Sequence, residues 1–140
     1  MTIQEQLSRY LTAEAKIRNL SEQLESLRAL RDNVTGSGDG VRPAGVTDRT
    51  GRVASMIADI EQLLEAEIAD ALRIKTRVLK MISGLTDADQ YAVIYAKYID
   101  GKSWTEIANS LYMSRNRAHR LHNSAIEALK KDRMEHNGTE

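Results

Sequence analysis

Residues 101–128 read GKSWTEIANSLYMSRNRAHRLHNSAIEA. The stretch divides into two helices around a three-residue turn. Ser103 opens the first helix and Glu106 follows three residues later, the S-x-x-E spacing of a capping box. Ile107, Ala108 and Leu111 give that helix one apolar face. Tyr112-Met113-Ser114 interrupts the pattern, and Ser114 is a good N-cap for the second helix. There Ala118, Leu121, Ala125 and Leu129 recur every three or four residues, one face of an α-helix. Ala108 supplies the small residue that two steeply crossed helices need where they touch.

The outward positions of the second helix carry chemistry suited to DNA. Arg115, Asn116, His119 and Arg120 can bond base edges in a major groove. Lys102, Ser103, Ser114, Arg117 and Asn123 can bond phosphates. Between residues 102 and 131 six Lys or Arg face two Glu, a local net of +4, in a chain whose formal net charge is zero. Affinity for a polyanion would therefore come from this patch and not from the field of the whole chain. Many helix-turn-helix units place Gly in the turn, where φ is positive; here Tyr112 stands there, and either modest strain or a slightly different turn is expected.

Upstream, residues 3–34 carry a heptad. Ile3, Tyr10, Ile17, Leu24 and Arg31 fall at a, and Gln6, Ala13, Leu20, Leu27 and Val34 at d. Residues 35–51 hold five of the eight glycines and the one proline, and read as a flexible connector. A second long helix is expected over 52–83, with a stripe of Val53, Ile57, Ile60, Leu64, Ile68, Ala71, Leu72, Val78, Leu79 and Ile82. Two such helices flanking a connector predict an antiparallel helical hairpin over residues 1–84. Their stripes are too wide for one pairing, so a homodimer through the hairpin is expected. Gly84 stops the second helix, and Thr86 is expected to cap a scaffold helix running to Ile99. The expected fold is all-α, with a helix-turn-helix domain over 85–133 and a disordered tail over 134–140.

Composition narrows the functions. With no Cys there is neither disulfide nor Cys-ligated zinc. No apolar run nears the ~20 residues that span a bilayer, so a cytoplasmic protein with no membrane partner is expected. Gly101-Lys102-Ser103 spells the end of a phosphate-binding loop. That loop requires glycine five residues earlier, where Ala96 stands, and a preceding strand, where a helical pattern stands. His119 and His122 lie one turn apart without a third ligand, so no metal or other cofactor is expected. His119 is read as facing DNA and His122 as lying on the domain surface. Trp104 and Tyr98 are read as packing residues. No catalytic constellation can be picked out, and the chain is read as a non-enzyme.

The segment YAKYIDGKSWTEIANSLYMSRNRAHRLHNSAIEAL resembles region 4 of sigma-70-type sigma factors. The likeness rests on Gly101, Ser103, Glu106, Ile107, Ala108, Ser114, Ala128 and Leu129. Nearly the whole chain is similar to small phage and prophage proteins. These combine a helical N-terminal half, a glycine-rich middle and a GKSW…EIA…SR…HRLH signature. The signature falls here at residues 101–104, 106–108, 114–115 and 119–122. Tyr112 and Ala118 depart from the commoner Gly and larger aliphatic residue. The resemblance implies a phage-encoded regulator that binds double-stranded DNA. Two other roles fit the same layout: a DNA-packaging adaptor like a terminase small subunit, and a sigma-like protein that holds RNA polymerase.

Overall fold

The computed structural model describes residues 1–35 and 44–138; side chains 34–47 and those beyond 135 lie outside that description. Five helices and no strands occur among the described residues: α1 (Ile3–Thr35), α2 (Ala44–Ile82), α3 (Ala88–Tyr98), α4 (Trp104–Ser110) and α5 (Arg115–Gly138). The all-α architecture is as expected, with two long helices followed by three shorter ones. Three boundaries differ. The expected connector over 35–51 lies partly outside the described residues, but α2 is already helical from Ala44. Three of the connector's five glycines precede that point. The remaining pair costs a helix only about 1 kcal/mol each, and at Gly51 no atom would meet an added Cβ. Asp87, not Thr86, caps α3: its carboxylate accepts from the N–H groups of Asp89 and Gln90 at 2.9 and 3.0 Å. An anion answers the positive end of a helix better than a hydroxyl does. Finally, α5 continues to Gly138, five residues past the expected domain end at Arg133. Nothing in Met134-Glu135-His136-Asn137 breaks a helix.

The described chain forms two compact units, Met1–Thr12 with Ala71–Glu140, and Ala13–Asp70. The division does not fall at residue 84. The first unit takes the start of α1 and the last third of α2 together with α3–α5.

In the unit Ala13–Asp70, α1 packs on α2. Leu24, Val53 and Ile57 are buried, with Leu27, Leu30, Ile60 and Leu64 partly covered around them. Arg28 reaches Glu61 across the pair at 3.3 Å, an exposed bridge worth little. Ile68 of the expected stripe is exposed.

The other unit holds the largest fully buried side chains: Leu7, Ile82, Val93, Ile94 and Ile107. Leu72, expected in the α2 stripe, is 64% exposed, and Ile74 is buried instead. The 3.6-residue turn rotates the inward face past the position that a strict repeat would assign. The Lys75 ammonium lies over the Tyr10 ring at 5.3 Å. Gly101 has φ of 68°, and a Cβ there would meet Leu11 at 3.3 Å. The end of α3 thus turns in a conformation that only glycine adopts cheaply, with α1 pressed against it.

Candidate nucleic-acid interface

Helices α3, α4 and α5 close on one small core. Val93 and Ala96 from α3, Ile107 from α4 and Ala118 from α5 are buried at its centre. Trp104, Leu111, Met113 and Leu121 cover its rim. Ala108 is buried as expected. The α4 cap is complete: the Ser103 hydroxyl accepts from Glu106 N–H, and the Glu106 carboxylate accepts from Ser103 N–H.

The turn has a definite mechanism. Leu111 ends α4, and Tyr112 adopts φ of 55°. Met113 N–H then bonds back to the Ala108 carbonyl at 3.0 Å. That six-to-one bond is the mark of a Schellman ending, which demands a left-handed residue at Tyr112. The expected strain at Tyr112 is therefore present, and the ring is 96% exposed. Ser114 starts α5, its Oγ accepting from Arg117 N–H at 3.1 Å and its carbonyl from Ala118 N–H at 3.0 Å.

On α5 the inward side is anchored by Ala118, His122, Ala125, Ile126 and Leu129, all buried. Asn116, Arg120 and Asn123 follow at i, i+4 and i+7, and all three are exposed. At this spacing they form one outward stripe. Arg115 is exposed at the start of the helix. Among the described residues Arg115, Asn116 and Arg120 have no hydrogen-bond or ionic partner. A cation held without a counter-charge on a rigid helix is available to an anion.

The remaining site residues are committed in part. Arg117 binds Asp89 of α3 at 3.0 Å, with both side chains about half exposed. Lys102 is half-buried, and Ser103 is occupied as a cap. His119 leans on Trp104, with ring centres 3.9 Å apart and the planes tilted by 32°. Lys97 lies over the same indole at 4.9 Å, a cation–π contact of about 0.5–2 kcal/mol.

His122, expected on the surface, is buried, because it faces α3 at the same azimuth as Ala118 and Ala125. Its Nε2 lies 2.6 Å from the Tyr98 hydroxyl and its Nδ1 3.2 Å from Asn123 Oδ1. The partners assign the tautomer: Nδ1–H donates to the Asn123 carbonyl oxygen, and Nε2 accepts from Tyr98. Burial pushes His122 below its ordinary range, and the charges of Lys97 and His119 push the same way; the Asn123 bond opposes them. Burial also raises Tyr98, which keeps its proton. Asn123 retains its amide NH₂ for an outside acceptor. Sequence reading missed this relay. Its local signal was the place of His122 four residues after Ala118 and three before Ala125, on the inner stripe; the pairing with Tyr98, 24 residues earlier, is one that no local rule detects. Among the described residues no group of three His, Cys, Asp or Glu could hold a metal ion.

Residues 44–130 match a family described as protein of unknown function, DUF1492. The chain belongs to that family. The DUF1492 span takes in α2, α3, α4 and α5 as far as Lys130, with every site residue named above; α1 lies outside it. Neither a curated protein nor a solved structure matches this DUF1492 chain.

Proposed function

We propose that this protein is a sequence-specific, double-stranded-DNA-binding transcription regulator, phage-encoded and acting in the bacterial cytoplasm, that inserts α5 into the major groove. One observation carries the reading: the outer face of α5 bears Arg115, Asn116 and Arg120 without partners, while its inner face is fixed by a three-helix core. No helix among the described residues is long and apolar enough to cross a membrane, in keeping with this setting. Arg115 and Arg120 read guanine edges, Asn116 reads adenine, and His119 contributes from its place against Trp104. Lys102, Ser103, Ser114, Arg117 and Asn123 hold the phosphates that set the register.

Selection of bound duplexes from a random pool tests the specificity. Anisotropy titration of the selected duplex then compares wild type with the double variant Arg115→Ala/Arg120→Ala. The pair is expected to lose about 2–6 kcal/mol of binding, about 1–3 for each base-reading arginine. A pool that yields no enriched sequence, or a double variant that binds as wild type does, sinks the reading.

A further inference from the structure

We propose that the unit Ala13–Asp70 is a self-complementary docking face whose occupant is a second copy of the same chain, with the two α2 helices antiparallel. The inference does not rest on the DNA-binding reading and concerns a different face.

The first observation is exposed apolar surface. α1 covers only part of α2's apolar arc in this unit, and just Leu24, Val53 and Ile57 of its core cluster reach full burial. Met56 and Leu63 stand beside that stripe at 51% and 54% exposure. They are seven residues apart and so share one side of the helix. Beside Met56 the surface is concave, a groove bounded by Gln23, Leu27 and Ile60. Two half-exposed apolar side chains on one side of a water-facing helix, one of them lining a groove, are a poor ending for a surface.

The second observation is the order of the charges. Arg49 and Arg52 lie at the start of the described part of α2. From residue 59 to residue 70 there are five acidic residues and no basic one. Arg49, Arg52, Met56, Leu63, Glu67 and Asp70 recur at spacings of three, four or seven, on one helical face.

These observations share one centre. A two-fold axis crossing α2 between Asp59 and Ile60 places Met56 opposite the other copy's Leu63. The same axis places Arg52 opposite Glu67, and Arg49 opposite Asp70. Each contact occurs twice, as an isologous interface requires. A parallel pairing would set Arg52 on Arg52 and Glu67 on Glu67. The face therefore selects its own reversed copy through contact of Met56 with Leu63 on either side of the axis, with the exposed Asp59 beside the axis itself, and through opposite charges at the ends.

Sedimentation equilibrium of the full chain, without DNA, tests the proposal. Wild type is expected to dimerise at micromolar concentration. Arg52→Glu and Glu67→Arg, made separately, should each raise the dimer dissociation constant by about tenfold or more, since like charges then meet twice. The combined variant Arg52→Glu/Glu67→Arg should recover most of the loss. Orientation is read by oxidation, because the natural chain has no cysteine. Met56→Cys/Leu63→Cys should give a covalent dimer and each single substitution should not. In the antiparallel pair two copies of one such position lie about 10 Å apart along the axis, beyond the ~7 Å Cα reach of a disulfide. A monomeric wild type overturns the proposal. So does a dimer indifferent to both charge reversals, or one in which a single cysteine cross-links as readily as the pair.

Discussion

The Tyr98 hydroxyl donates to Nε2 of His122 across 2.6 Å, joining the end of α3 to the middle of α5. Both residues are buried, so neither can exchange this partner for water. The bond fixes the rotation of α5 about its own axis, and with it the direction in which Asn116 and Arg120 point. Tyr98→Phe keeps the ring and removes the donor. It should cost about 1–3 kcal/mol, the penalty for a buried acceptor left unmet. Urea unfolding followed by circular dichroism measures it, and an unchanged midpoint would refute the assignment.

The same pair makes stability depend on pH. Burial holds the His122 imidazole below its ordinary 6.5, so the folded chain keeps it neutral where the unfolded chain takes up a proton. Stability is then full above about pH 6.5, and is lost as pH falls from there toward the lower folded value. The melting temperature of wild type should drop over that window. His122→Gln should start lower but show a shallower decline. Parallel pH profiles for the two proteins would show that His122 does not carry the effect.

Arg117 is tied to Asp89 and, under the proposed function, also holds a phosphate. Its exposed bridge to Asp89 contributes only about 0–1 kcal/mol to folding. Asp89→Asn should therefore leave the melting temperature nearly unchanged while releasing the guanidinium. On the proposed reading DNA binding tightens. The slope of log affinity against log salt also steepens by about one phosphate contact. Titrations at several salt concentrations decide this. Weaker binding by the variant would mean that Arg117 does not face phosphate.

Two turn residues should respond in opposite directions. Tyr112 has φ of 55° and an exposed ring that packs on nothing. Tyr112→Gly should gain stability, by up to about 1 kcal/mol of relieved left-handed strain. Gly101 has φ of 68°, and an added methyl would press on Leu11. Gly101→Ala should lose at least about 1–2 kcal/mol. Thermal melts of both variants make the comparison, and a stabilised Gly101→Ala protein would contradict the turn geometry.

Much of this molecule was legible because the signals are local. A capping box spans four residues, so Ser103 and Glu106 announced α4 without reference to anything distant. The periodicity of Ala118, Leu121, Ala125 and Leu129 marked the inner face of α5 and left Arg115, Asn116 and Arg120 outside, but it also left His122 outside, which the structure buries. The start of α2 and the cap of α3 were less legible, because each turns on a competition between neighbours. Asp87 prevails over Thr86 by its charge, and Gly45 and Gly51 are tolerated inside a long helix.

By itself the sequence determined the all-helical class, the helix-turn-helix pattern, and the placing of Arg115, Asn116 and Arg120 on the outer face of α5. These depend on repeats of three to seven residues and on a helix's fixed pitch. Only the tertiary structure decided that His122 is buried against Tyr98, that His119 leans on Trp104 and that Arg117 is tied to Asp89. It also decided that Leu72 and Ile68 stay in water while Ile74 is covered. Those outcomes depend on which surfaces meet across 15 residues of chain or more, and helical periodicity narrows the inward arc without saying what will fill it.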